Sequence, residues 1–296
     1  MAAAERDVAA GYPVNRGSPL RIGELLVEAG LITRAQAGDA AKYSVERDVR
    51  FGEAAVALGF VSLEEVEQLL SAGLEGRTIA EPARISEQLI PYHAPDSSAS
   101  EDIRALRNFL TLHWFQHPKG GRALSVISPG RREGRSICTA NLAVAFAQVG
   151  VRTLLIDADM RQPTQHELFG LTNRSGLSGY LAGRHEESAH YTIAGLDMLT
   201  VIPVGPLPPS PQELLLRPTL RALFESAAMQ FEAVLIDTPA AASGNDYQIV
   251  SKAAGGALLL AHERTSRMRE TARMVSSCQD LGVTIVGGTL IQPNAR

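Results

Sequence analysis

Three short polar clusters carry residue types and spacings suited to phosphate chemistry. The first, SPGRREGRS from Ser128 to Ser136, places two glycines, three arginines and two serine hydroxyls within nine residues. A glycine-containing turn lets backbone N–H groups approach phosphate oxygens, and a helix starting behind it adds its positive end. The common spelling of such a loop, G-x-x-x-x-G-K-[ST], would put Gly at 129 and Lys at 135. The chain has Pro129 and Arg135 instead, with the outer glycine displaced to Gly130. Arg135 keeps the charge but presents a forked guanidinium, a different donor shape from an ammonium. Ser136 stands where a hydroxyl can ligate Mg²⁺, and Gly134 allows close backbone approach. The second cluster is LLIDADMR, with Asp157 and Asp159; the third is VLIDTPAA, with Asp237. A lone Asp after an apolar run is usually a turn or cap residue. Three beside a phosphate loop can converge on a metal ion and the phosphates it carries.

Positioning these groups requires strands that end together. Apolar runs bounded by turn residues occur at ALSVIS, TLLIDAD, DMLTVIPVG, AVLIDTP, GALLLA and TIVGGTLI, with helical stretches between them, including EDIRALRNFLTLHWF and about Ser136 to Gln148. Continuous aliphatic strands alternating with helices predict an α/β domain whose parallel sheet carries helices on both faces. Ligands of such sheets bind at the carboxyl ends of the strands, where the three polar clusters fall.

Composition agrees. With 45% hydrophobic and 20% charged residues, a 296-residue chain can bury an aliphatic core without staples. A net charge of −4 predicts no nucleic-acid partner. Two cysteines, Cys138 and Cys278, without any CxxC, suit buried thiols and a cytoplasmic setting. No stretch approaches the ~18 apolar residues that span a bilayer, so membrane association is expected through a partner.

The N-terminal part repeats itself. RIGELLVEAGLITR from Arg21 and RFGEAAVALGFVSLE from Arg50 share Arg-apolar-Gly-Glu and a second glycine, 29 residues apart. Gly30 and Gly59 sit where helices would end in the left-handed conformation, and Thr33 and Ser62 where new helices would be capped. The expected organisation is a disordered stretch 1–18, a helical module 19–76, a linker 77–100 rich in Pro and Ser, and a nucleotide domain 101–296. His113 and His117, Cys138 and the proline-rich 203–215 segment are read as surface, packed-thiol and loop residues, with a helix entered at Pro211.

The repeat module resembles the N-terminal domain of type II secretion and pilus-assembly ATPases, some of which bind cyclic di-GMP. Ser44 and Gly73 replace the glutamines that close those repeats, and alanines replace leucines in the second copy. Protein docking therefore stands ahead of cyclic di-GMP as the expected use of the module.

From Glu101 to Ile291 the chain resembles the bacterial tyrosine kinases of capsule and exopolysaccharide assembly, chain-length-determinant type. The residues that carry this are the loop ending in GRS, IDADMR, VLIDTPAA and the Glu-x-x-Arg-x-x-Arg of Glu101, Arg104 and Arg107. The resemblance implies a deviant-Walker P-loop fold, related to MinD and ParA ATPases, and ATP-dependent phosphorylation of tyrosine with Mg²⁺. It assigns Gly130, Arg132, Gly134, Arg135, Ser136 and Ile137 to nucleotide binding. Asp157 becomes the proton acceptor, with Asp159 and Arg135 beside it in catalysis, and Ser136, Asp159 and Asp237 the metal residues. Glu101, Arg104 and Arg107 would mediate homo-oligomer assembly, although simple solvation also accounts for a charged helix face. An inner-membrane chain-length regulator, or its cytoplasmic tail, is the implied partner, holding the protein at the membrane surface.

The last tyrosine is Tyr247, so no C-terminal tyrosine cluster for self-labelling is expected, and Ile291 or Gln292 stands where the family places an asparagine near adenine. With Arg135, these departures keep open a nucleotide-binding regulator with little kinase activity. A partitioning-type ATPase is the third reading, although its early signature lysine would fall at Gly130.

Overall fold

The computed structural model describes residues 23, 26–27, 30–47, 49, 51–63, 65, 78–80, 85–184 and 190–292. The chain divides into two compact units, Met1–Leu69 and Leu70–Arg296. The expected disordered stretch 1–18, and the ends of the helical module at 19–22 and 66–76, lie outside the described residues.

In the first unit, helix α1 (Arg34–Arg47) starts at the last residue of the first repeat motif, and helix α2 (Phe51–Ala57) lies inside the second. Gly30 and Gly59 have φ of 70° and 69°, the left-handed conformation expected at helix ends. Thr33 accepts the Gln36 N–H through its hydroxyl while Gln36 Oε1 accepts the Thr33 N–H, and Ser62 and Glu65 repeat the arrangement. These reciprocal pairs are capping boxes. The two motif copies meet at Gly23: a Cβ there would lie 2.8 Å from the Phe51 ring, so the absent side chain makes room for the second copy.

The second unit is built on one eight-stranded sheet. In chain order its elements are β1 (Thr78–Ala80), α3 (Ile90–His93), α4 (Ser98–Leu110) continued by a π-helical turn (Thr111–Phe115), β2 (Ala123–Ile127), α5 (Arg135–Ala147), β3 (Thr153–Asp157), α6 (Gln165–Leu168), α7 (Leu177–Leu181), β4 (Tyr191–Ile193), β5 (Leu196–Ile202), α8 (Pro211–Leu215), α9 (Pro218–Gln230), β6 (Ala233–Asp237), α10 (Asp246–Ala254), β7 (Gly256–His262), α11 (Met268–Asp280) and β8 (Thr284–Ile291). The spatial order is β1-β4-β5-β3-β6-β2-β7-β8. All pairs are parallel except β4 with β5. The expected strands and Pro211 as a helix entry are present.

Alternate residues of the central strands feed opposite faces. Leu124, Val126, Leu155 and Leu235 pack with Leu142, Phe146 and Leu110 on one side. Leu154, Ile156, Val234 and Ile236 pack with Leu177, Leu220, Leu223 and Phe224 on the other. Burial on both faces explains the unbroken aliphatic runs. The single tryptophan, Trp114, closes one edge of this core; its indole N–H donates to the Ala123 carbonyl at 3.1 Å. Its ring covers Gly256 so closely that a Cβ there would overlap it.

The expected linker 77–100 is corrected. It contributes edge strand β1, buried Ile85 and Leu89, and helix α3, whose first N–H donates to Asn141 Oδ1 of α5 at 2.8 Å. Among its described residues, Pro91 sits in the first turn of α3, and Ser97 caps α4 by accepting the Ser100 N–H. Turn chemistry and linker composition share an alphabet, and burial distinguishes them.

Candidate active site

The loop between β2 and α5 lies at the carboxyl end of a central strand, flanked by β6 and β7. Gly134 precedes α5 at φ 94°, a conformation that disfavours any residue with a Cβ. Arg132 also has positive φ, at 58°, and its side chain is exposed. Between them Glu133 turns inward and is buried. Its carboxylate accepts the Gly130 N–H at 2.6 Å and the Ser266 hydroxyl at 2.5 Å, tying the loop to the segment after β7.

Arg135 is buried and spans the site. Its Nε donates to the Thr238 carbonyl at 2.8 Å, and Nη1 donates to Ser128 Oγ at 2.5 Å and the Gly130 carbonyl at 2.9 Å. Nη2 lies 3.9 Å from Asp159. A lysine has no fork that could reach both the loop and the end of β6. The backbone reinforces the connection, since Ala241 and Ala242 donate to the carbonyls of Ser128 and Pro129.

Asp157 and Asp237 are register partners at the ends of adjacent strands, and both are fully buried. Burial pushes the Asp157 carboxyl well above the usual range, and neighbouring Asp237 adds to this, against the opposing pull of the Gln165 backbone N–H. Burial likewise pushes Asp237 up to about 6, opposed by hydrogen bonding from the Ser136 hydroxyl and by the Arg135 charge. Two carboxyls this close in a dry site disfavour double ionisation. Asp159 is held differently: its Oδ1 accepts the N–H groups of Arg161 and Gln162, while Oδ2 faces Arg135.

Among the described residues, no cluster of three His, Cys, Asp or Glu side chains could hold a metal alone. Asp237 Oδ1 is buried with no hydrogen-bond partner, and the Ser136 hydroxyl lies near the same carboxyl. One carboxylate oxygen and a hydroxyl fit Mg²⁺, which typically takes one or two protein ligands and completes its shell with water and substrate phosphates. The residues present therefore fit the ion.

The structure thus brings together Gly130, Gly134, Arg135, Ser136, Asp157, Asp159 and Asp237. It leaves Arg132 exposed, and Ile137 partly exposed at the start of α5. Glu101, Arg104 and Arg107 lie on α4, away from the loop. Arg104 pairs with Glu101 at 2.6 Å, and Arg107 donates to the Ala145 carbonyl of α5 at 3.1 Å. Glu133, Thr238 and Gln165 were not legible as site residues. Glu133 lies within SPGRREGRS and Thr238 within VLIDTPAA, so their places in those clusters could have signalled them, whereas Gln165 carries no such mark. Cys138 is a packed thiol, pushed up to about 12 by burial.

A turn held by a left-handed glycine between a central parallel strand and a helix, faced by buried strand-end carboxylates, defines a P-loop nucleotide-binding domain. The chain is 32% identical over 191 residues to tyrosine-protein kinase YwqD of Bacillus subtilis strain 168, covering 64% of this chain and 80% of that protein. It belongs to the bacterial tyrosine-protein kinase family. Tyrosine-protein kinase Etk of Escherichia coli K12 is 33% identical over 207 residues, 68% of this chain but 28% of Etk, so this chain spans about a quarter of that longer relative. The solved kinase domain of the Escherichia coli tyrosine kinase ETK superposes with TM-score 0.65 at 29% identity, covering 77% of this chain and 94% of that domain. The cell-division ATPase MinD of Pyrococcus furiosus shares the fold at TM-score 0.50 and 26% identity, over 57% of this chain and 71% of MinD. No family model matches the chain. Among the described residues, no helix is long and apolar enough to cross a membrane.

Proposed function

We propose that this protein is an ATP-dependent protein tyrosine kinase. The observation that carries the reading is Asp157: a buried carboxyl beside the phosphate loop, made more basic than an ordinary aspartate by burial and by Asp237. A tyrosine hydroxyl is a weak nucleophile at neutral pH, and a nearby base of raised pKa can take its proton as it attacks. The new bond forms between the phenolic oxygen and the γ-phosphorus, the bond to the β,γ-bridging oxygen breaks, ADP departs, and the proton rests on Asp157.

The loop backbone from Gly130 through Ser136, with Ile137 at the helix start, receives the phosphates. Arg132 stands at the exposed rim, where an incoming nucleotide can recruit its charge. Arg135 places fixed positive charge where negative charge develops. Ser136 and Asp237 would hold Mg²⁺, with Asp159 supporting them, and the ion would supply neutralisation of the phosphate charge. Glu101, Arg104 and Arg107 serve assembly between copies. The partner we infer is the cytoplasmic segment of an inner-membrane chain-length regulator of exopolysaccharide export, which holds the protein at the cytoplasmic face. The N-terminal unit is read as a docking module, with cyclic di-GMP as the alternative ligand that calorimetry would detect.

One observation favours a second reading. The Arg135 guanidinium is already engaged by Thr238, Ser128 and Gly130, which suits a regulator that binds nucleotide and transfers slowly. Labelled ATP with Mg²⁺ and a tyrosine-containing peptide separates the readings. Label on tyrosine that disappears in Asp157→Ala supports the kinase, and binding without transfer supports the regulator. Phosphate release stimulated by DNA or membrane would point to a partitioning ATPase.

A further inference from the structure

Gln165 opens the short helix α6, eight residues after Asp157, and is fully buried. It hydrogen-bonds to all three polar clusters of the site. Its backbone N–H donates to Asp157 Oδ2 at 3.0 Å. Its side-chain amide donates from Nε2 to Asp237 Oδ2 at 2.8 Å and to the Ser136 carbonyl at 3.0 Å. The opposite amide orientation would set Oε1 against two acceptors, so the network fixes this one.

Both amide hydrogens are thereby used, and the amide engages one particular oxygen of Asp237. The other oxygen, Oδ1, stays buried without a partner, as do Gln165 Oε1 and Thr164 Oγ1. An unpaired buried acceptor is costly, and such groups in a folded protein call for a specific explanation. Mg²⁺ sheds water reluctantly, and its hydration shell needs acceptors.

We propose that Gln165 is a positioning residue for the metal: it holds Asp237 and the Ser136 backbone so that Asp237 Oδ1 and the Ser136 hydroxyl face Mg²⁺, and its free Oε1 serves the ion's water shell. Gln165 acts through Asp237 and Ser136, as residues behind a metal's direct ligands do elsewhere. The assignment rests on the Mg·nucleotide reading of the site.

Binding of a fluorescent ADP analogue to the full chain, titrated with Mg²⁺ and repeated in EDTA, tests it. Gln165→Met keeps length and apolar volume and removes the donors; Gln165→Glu keeps shape and replaces donors with acceptors. Both are expected to raise the half-saturating Mg²⁺ concentration about tenfold or more, while any loss of metal-free ADP affinity, through the Ser136 backbone that Gln165 also holds, stays well below that factor. If Gln165→Met does not fold, Gln165→Glu carries the same comparison. An unchanged Mg²⁺ requirement overturns the assignment, as does a parallel loss of metal-free affinity, which would mark a packing role. Wild-type protein that binds no ADP, or binds it without any Mg²⁺ dependence, brings down the underlying Mg·nucleotide reading and the assignment with it.

Discussion

Replacing Asp237 by Asn should stabilise the nucleotide-free protein while disabling its site. The wild-type carboxyl is fully buried and pushed up to about 6 from an ordinary 3.8. A group whose pKa is raised by folding supports the fold while protonated, and that support is lost as pH rises through the folded-state value. Below about pH 4 the carboxyl is neutral folded or unfolded, so wild type and variant should be equally stable there. Between about pH 4 and 6 wild type falls behind, and at pH 7 the gap reaches roughly 3 kcal/mol at ~1.4 kcal/mol per tenfold change in proton affinity. For a domain of this size that corresponds to a melting-temperature increase on the order of 5–10 °C. Asn retains an acceptor for Gln165 Nε2, so its hydrogen bond is not sacrificed. Urea unfolding of metal-free protein across pH 4 to 7.5 measures the gap. A difference that stays flat with pH, or a variant less stable at pH 7, would refute the reasoning. The same variant should lose Mg²⁺-dependent tightening of ADP binding.

Two other substitutions have defined outcomes. Arg135→Lys keeps the charge but leaves the Thr238 and Gly130 carbonyls under-satisfied; chemical unfolding should show a loss of about 1–3 kcal/mol, with tyrosine phosphorylation retained within about tenfold because the charge remains. Gly256→Ala pushes a methyl into the Trp114 indole, where overpacking costs about 1–3 kcal/mol; denaturation should show this loss together with a shift in tryptophan emission.

The central sheet was legible in the sequence because parallel strands buried on both faces are written as unbroken runs such as LLID and VLID. The edge was not: β1 and β4 have three residues each, too few for a periodic signal. The turns between Ile85 and Ser100 use the same Pro and Ser letters as a linker, and only the burial of Ile85 and Leu89 separates the two. At the site, strand-end position exposed Asp157 and Asp237 as candidates, because polar residues that close apolar runs stand out. Gln165 carries no such mark. Its partners Ser136 and Asp237 lie 29 and 72 residues away in sequence, and contacts that distant arise from strand order. Glu133 meets Ser266 across 133 residues for the same reason. Arg135 reads in sequence as a departure from the common loop, whereas in the fold it is a brace between that loop and the end of β6.

The most direct test of the kinase assignment is the initial rate of phosphotyrosine formation on a tyrosine-containing peptide, with Mg·ATP at pH 7.5, for wild type and Asp157→Asn. A general base contributes about 10²–10⁴ in rate. The expected result is a wild-type rate that falls by that factor in the variant while Mg·ADP affinity stays within about threefold, since binding is held by the loop rather than by the base. Equal rates in the two proteins, or no phosphotyrosine from wild type despite saturated nucleotide binding, would contradict it.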